Sequence, residues 1–260
     1  MKTAKKTLLI LLALAFTITA QAQYMGTRVE YVKVKPGQWS NYRELEKQVL
    51  KVHQAKVEKG IIVQWQMYRK MYSGADDPYD FILVHFYDDY MKSNSPFPRE
   101  IVEELFSEEE RADIMKKVGE TRTIGKIEYY DQVAASETFK PAEYIRINRY
   151  KVKPGQAGQY IQSRREITQP LFSEFVKRGH MAGWTMWRKL TLDQKFQFVT
   201  VDAFEEFGQW KQGMPYQELW KEVHPDKVQS EVQPEYASLR TPVSSEYWRL
   251  VEFTTPKQEQ

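Results

Sequence analysis

The chain has no cysteine. Disulfides, thiolate metal centres and cysteine-linked lipid anchors are therefore excluded, and stability has to come from packing alone. No apolar run of about 18 residues follows the N-terminus, which excludes a helical membrane-spanning body and stable membrane insertion. A charge excess is also missing from most of the chain. Against 35 Asp and Glu there are 38 Lys and Arg, but Lys2, Lys5 and Lys6 fall in the first six residues, and residues 1–22 hold no Asp, Glu or Arg. The remainder is neutral, so a basic surface for nucleic acid is not expected. Nucleophile-elbow, P-loop and dinucleotide fingerprints are absent, and so is any histidine pair at metal-ligand spacing, so no metal site is expected.

The first residues predict an export signal. Met1–Lys6 is basic, Thr7–Thr19 is an apolar stretch short of the roughly 20 residues that span a bilayer, and Ala20-Gln21-Ala22 is a small-residue cleavage site. The expectation is an exported, secreted protein, periplasmic or extracellular after cleavage near Ala22.

The rest of the chain repeats itself. Val32-Lys33-Val34-Lys35-Pro36-Gly37-Gln38 recurs as Tyr150-Lys151-Val152-Lys153-Pro154-Gly155-Gln156, and Tyr42 recurs as Tyr160 at the same offset. Trp65-Gln66-Met67-Tyr68-Arg69-Lys70 recurs as Trp184-Thr185-Met186-Trp187-Arg188-Lys189, and Phe81–Val84 aligns with Phe196–Val199. This spacing predicts two copies of one module, residues 23–135 and 144–254, after a signal at 1–22.

Each copy reads as strand, helix, strand, strand, helix, strand. Val29–Val34 is β-branched and stops at Pro36-Gly37. Residues 39–59 carry apolar residues at helical spacing and end at Gly60, matched by Gly179, where a left-handed residue closes a helix. Ile61–Lys70 and Phe81–Tyr87 are strands. Ser107 and Glu110 make a capping box, and Thr123–Tyr130 is a fourth strand. The second copy ends in Tyr247–Phe253, and Pro170 is expected to kink its first helix. The order is that of the ferredoxin-like unit, whose sheet has one bare face. The predicted fold is α+β: two tandem ferredoxin-like modules packed sheet to sheet as an intramolecular α/β barrel.

The Lys-Pro-Gly turn, the following helix and the Trp-bearing second strand resemble the dimeric α/β-barrel superfamily in single-chain tandem form, near its NIPSNAP and antibiotic-biosynthesis-monooxygenase branches. The resemblance implies a barrel that binds small molecules, with monooxygenases, isomerases and haem enzymes among its members. Haem members use an axial histidine on a helix. No histidine here stands in a motif matching theirs, so no cofactor is assigned, and haem through His53 or His224 is the alternative.

Alternation along each strand assigns the residues facing the space between the sheets. Val29, Ile147, Ile82, Val84 and Phe86 are taken as helix-covered. Arg28, Glu30, Arg146 and Asn148 then face inward, with Phe81, Leu83, His85 and Tyr87, and with Phe196, Phe198 and Thr200. Lys126, Glu128 and Tyr130 join them, as do Arg249, Val251 and Phe253. The second strand stays open between Trp65, Met67 and Arg69 and Gln64, Gln66 and Tyr68. On this assignment His85 is the candidate acid or base and Tyr87 its hydrogen-bond donor. Arg28, Glu30, Arg146, Asn148, Tyr130 and Arg249 are candidate ligand-binding residues for a small hydrophobic or aromatic molecule. The functional expectation is a secreted small-molecule-binding barrel, with cofactor-independent oxygenation or isomerisation as its enzymatic form. A non-catalytic envelope protein that uses its surface for protein interaction is the alternative. Oligomeric state is left open.

Overall fold

A computed structural model describes residues 25–255 apart from 75, 95–97, 137–140, 192–194, 212 and 214. The expected export signal lies outside the described residues. Eight strands close into one antiparallel barrel. In chain order they are β1 (Gly26–Val34), β2 (Gln64–Lys70), β3 (Phe81–Tyr87), β4 (Arg122–Ala135), β5 (Tyr144–Val152), β6 (Gly183–Lys189), β7 (Phe198–Phe204) and β8 (Arg240–Phe253). Around the barrel they run β1-β3-β2-β8-β5-β7-β6-β4. The first four strands thus lie in the order β4-β1-β3-β2 and the last four in the order β8-β5-β7-β6. The halves meet edge to edge through hydrogen bonds, β2 with β8 and β4 with β6. Closure leaves no open edge along these seams, which face-to-face packing alone would have left.

The helices pack outside. α1 (Trp39–Glu58), α2 (Arg99–Leu105) and α3 (Glu108–Thr121) cover the first half. α4 (Ala157–Ser163), α5 (Gln169–Lys177), α6 (Tyr216–Val223) and α7 (Gln229–Ser238) cover the second. Gly60 and Gly179 stand at φ 68° and 77° where α1 and α5 end, the conformation for which glycine is favoured. The expected capping box is formed: the Ser107 side chain accepts from the Glu110 backbone N–H, and the Ser107 N–H donates to Glu110 Oε2 at 2.7 Å. Ser107→Ala is expected to lower stability by about 1 kcal/mol, the usual worth of an N-cap, and a urea midpoint compared with wild type checks it. Between α4 and α5 the residues Arg164–Thr168 form a π-helical turn, immediately before Pro170. The proline has no N–H to offer the preceding turn, so the interruption falls where a kink is expected.

Several boundaries and one face assignment differ from expectation: β1 begins at Gly26 rather than Val29, and β4 runs on to Ala135 rather than ending at Tyr130. β2 begins at Gln64 rather than Ile61, and β8 begins at Arg240 rather than Tyr247. The larger difference is the phase of alternation. One apolar cluster joins residues of both halves inside the barrel, Val29, Tyr31, Tyr68, Ile82, Phe86, Ile145, Ile147 and Val199 among them. The residues taken as helix-covered on β1, β3 and β5 therefore point inward. Arg28, Glu30, His85, Tyr87, Arg146 and Asn148 point outward beneath the helices, as do Phe81 and Leu83, which pack with Tyr42 and Val57 of α1. On β2 the inward set is Gln64, Gln66 and Tyr68, while Trp65 and Met67 lie under α1. On β8 the inward residues are Trp248 and Leu250, so Arg249 and Val251 face out. β4 keeps its expected phase, with Tyr130 in the cluster. The physical reason is that an eight-stranded barrel interior is just wide enough for side chains to fill, and here apolar aliphatic and aromatic residues fill it. The wider space between sheet and helix admits a polar network.

Candidate functional site

The barrel interior encloses a cavity of about 70 Å³. Val29, Ile82, Val84, Ile145, Ile147 and Val201 form much of its wall. Its few polar groups are already engaged. Gln66 donates to Gln64 Oε1 at 2.6 Å, Tyr68 OH donates to Gln66 Oε1 at 2.8 Å, and Trp187 Nε1 donates to Thr185 at 2.8 Å.

One mouth of the barrel is charged. Glu128 accepts from Tyr130 OH at 2.6 Å and pairs with Lys189 at 2.7 Å. Arg149 pairs with Glu246 at 2.8 Å and reaches Tyr31 OH at 3.4 Å. Lys126 lies 4.0 Å over the Tyr31 ring. Burial raises the Glu128 carboxyl, but Lys189, Tyr130 and Lys126 outweigh it and hold it at about 2. Burial also pushes the Tyr31 hydroxyl far above its ordinary value. At neutral pH Lys126, Lys189 and Arg149 outnumber Glu128 and Glu246, which already take their hydrogen bonds, so this mouth carries a net positive charge, and Glu128 is too weakly basic to remove a proton efficiently. Of these residues the sequence reading named Tyr130 as a ligand-binding residue. Tyr31 and Arg149 were missed because the phase of β1 and β5 was inverted, and Lys189 because the phase of the Trp-bearing strand was left open. The signal available was Lys126, Glu128 and Tyr130, whose strand partners on β1 across the ladder are Tyr31, Val29 and Thr27.

The other sequence-selected residues gather in two places under the helices. In the first half Arg28 pairs with Glu30, and His85 Nε2 lies 3.4 Å from Glu30 Oε1. His53 of α1 stacks on Trp65 with ring centres 4.6 Å apart and meets His85 edge-on at 5.1 Å. Arg122 pairs with Glu46 of α1 at 2.8 Å. Burial raises Glu30, but His85 and Arg28 outweigh it and hold the carboxyl at about 2. Burial lowers His85 and the Glu30 charge only partly offsets it. His53 falls further, through burial and then the neighbouring His85, Lys56 and arginine charges. His85 and Tyr87 are 2 % and 1 % exposed, so the structure gives them no path to a substrate. In the second half Arg146 pairs with Asp202 at 2.7 Å, and Asn148 donates to Asp202 at 3.0 Å. Arg249 is a surface residue paired with Glu143 at 3.0 Å. The structure thus brings Arg28, Glu30, His85 and Tyr87 together, and Arg146 with Asn148, while Tyr130 and Arg249 stand apart from both groups.

Haem does not fit these positions. His53 is packed between Trp65 and His85, and His224 Nε2 is 2.9 Å from the Ile167 carbonyl. Neither faces the barrel cavity, which is far too small for a macrocycle. Among the described residues no group of three or more His, Cys, Asp or Glu is placed to hold a metal ion.

No family model and no curated protein matches the chain. Solved structures do match its fold. A protein from Fusobacterium nucleatum described as a candidate monooxygenase superposes with a TM-score of 0.55 at 9% identity, covering 92% of this chain and 100% of its own. A candidate monooxygenase from Lactobacillus acidophilus gives 0.53 at 10% identity, covering 89% and 96%. An anthrone oxidase-like protein gives 0.50 at 11% identity, covering 91% and 94%. At such identities the likeness is one of fold. The fold that these neighbours share with this chain is an α+β barrel, a closed eight-stranded ring with helices outside.

Proposed function

We propose that this chain is an exported α+β-barrel protein, built from two duplicated ferredoxin-like modules, that binds a small apolar molecule inside the barrel. The observation that carries this reading is the interior cavity, with apolar walls and a mouth formed by Tyr31, Tyr130, Arg149 and Lys189. A dry apolar cavity of about 150 Å³ holds benzene, so one of about 70 Å³ takes a single ring only where its walls yield. The charged mouth supports a ligand carrying one oxygen at its edge. The descriptions of the three structural neighbours favour oxygenase-type chemistry as the reaction to test. The mouth would stabilise an anion in such a reaction, and the acidic proton would have to belong to a ligand acidic enough to lose it near neutral pH. The likeness to the NIPSNAP and antibiotic-biosynthesis-monooxygenase branches rests on the Lys-Pro-Gly turns and the Trp-bearing strands.

The test is uptake of phenol by purified residues 23–260, read as a thermal shift. A ligand at about 100 times its Kd stabilises by about 2.7 kcal/mol. Val84→Phe fills the cavity from β3, so it is expected to abolish the shift while leaving the fold intact. A shift of equal size in Val84→Phe places the ligand elsewhere and sinks the reading. Export is checked by sequencing the mature N-terminus, expected at Gln23.

A further inference from the structure

The two halves place different charges at one matched position. Arg122 on β4 lies opposite Val34 of β1, and Arg240 on β8 lies opposite Val152 of β5. Tyr42 and Tyr160 each stand in the first turn of the helix that follows the Lys-Pro-Gly turn. Four residues on, the first half has Glu46 and the second has Arg164. In the first half Glu46 neutralises Arg122. In the second the carboxylate is replaced by a guanidinium, and two arginines share one tyrosine. Arg164 donates to Tyr160 OH at 3.1 Å and to Thr168 at 3.1 Å, and Arg240 donates to Tyr160 OH at 3.4 Å.

Arg164 is 5 % exposed, and among the described residues nothing accepts a hydrogen bond from its Nε. Its guanidinium rests 4.4 Å over the Tyr236 ring, and that of Arg240 rests 4.1 Å over Tyr150. Ring faces offset part of the cost of burying Arg164, but the half-buried Arg240 beside it adds a second cation, and among the described residues no carboxylate stands in the cleft they share. Both arginines line a cleft of about 280 Å³ between the π-helical turn, α6 and α7. Phe172, Tyr216 and Trp220 supply aromatic walls, and no Asp or Glu lines it among the described residues. A π-helical turn in this position brings Arg164 and Thr168 to the same side, and such turns often mark functional sites.

We infer that this cleft is an anion site, distinct from the barrel interior, that takes a small aromatic carboxylate. The planar forks of Arg164 and Arg240 match a carboxylate, and the aromatic walls match a single ring. Its charge balance is completed by the ligand in the way that Glu46 completes it in the first half.

The experiment is calorimetric titration of the full mature protein carrying Val84→Phe, which closes the barrel cavity, with benzoate, phenol and inorganic phosphate. Benzoate is expected to saturate one site, with phenol and phosphate each at least tenfold weaker. Arg240→Gln is expected to weaken benzoate at least tenfold. Arg164→Glu recreates the carboxylate–guanidinium pair of the first half, so it is expected to raise the melting temperature and to abolish benzoate binding. No saturation by benzoate at about 10 mM, weaker than most specific small-ligand sites, overturns the proposal. So does benzoate affinity unchanged in Arg240→Gln, which stands as the test if Arg164→Glu does not fold. Phosphate as tight as benzoate overturns the aromatic-carboxylate assignment.

Discussion

Glu46→Leu is expected to cost about 3–5 kcal/mol, the loss that follows when one partner of a buried ion pair is removed. For a chain of this length that is a fall of about 10 °C in melting temperature. Glu46 and Arg122 are both sealed beneath α1. Removing the carboxylate leaves two buried guanidiniums, Arg28 and Arg122, against the single carboxylate of Glu30. Arginine cannot shed its charge, so the cost cannot be relieved by deprotonation. Arg122→Met is expected to cost less. Burial already raises the Glu46 carboxyl, against the pull of Arg122, and without Arg122 the group can take up a proton and become neutral. The deficit of Arg122→Met is therefore expected to shrink as pH falls toward 5, while that of Glu46→Leu persists. The double variant Glu46→Leu with Arg122→Met removes both charges and is expected to recover most of the loss. Chemical denaturation of the two single variants and the double, as a double-mutant cycle, measures the coupling. Equal losses in the two single variants, or losses that simply add, would show that the pair is not the unit that matters here.

How legible this was in the sequence differs from element to element. Strand and helix order followed from Val-Lys-Pro-Gly-Gln and its partner 118 residues on, because turn chemistry is local and survives context. The Ser107–Glu110 box was legible for the same reason. The direction of the strands' faces was not. Both faces of β1 and β3 are buried, one by the barrel and one by a helix, so alternation has no solvent side to orient it. Assigning the apolar face to the helices was a guess about which of two buried environments is drier. It placed His85 and Glu30 in the barrel when they lie outside it. β4 escaped the error: past its exposed residues 123–127, Glu128 and Tyr130 are buried on either side of the half-buried Tyr129, so one face is distinguished from the other. The arginine cleft was readable in principle. Aligning Glu46 with Arg164 at the offset that matches Tyr42 with Tyr160 reveals a charge reversal at a buried helix position, and a reversal there has to be balanced by something.

Lowering the pH is expected to destabilise the protein in two stages. His53 ionises far below the ordinary value of 6.5 because it is buried and faces His85, Lys56, Arg122 and Arg28. Its folded value is depressed, so its contribution is complete above pH 6.5. Below that the unfolded chain takes up a proton that the folded chain refuses, and stability falls with pH. His85 is also lowered by burial, though Glu30 draws it back, and it adds to the same stage in the same direction. The second stage belongs to Glu30 and Glu128, each held at about 2 against an ordinary 4.5. Their stabilisation is complete above 4.5 and is lost as pH falls from there toward 2. Glu46 runs the other way, because its folded value is raised, but it is one group against four. The melting temperature is therefore expected to be level between pH 7 and 8, above which Lys56, lowered by burial to about 8, adds stability as pH rises, to fall gently from 6.5 to 5, and to fall steeply below 4.5. His53→Phe keeps the stack on Trp65 and removes the titrating ring, so it is expected to flatten the first stage and leave the second in place. Glu128→Gln is expected to reduce the second stage and spare the first. A melting temperature constant from pH 7.5 to 5 in the wild type would show that His53 is not held neutral, and that the space beneath α1 is wetter than its packing implies.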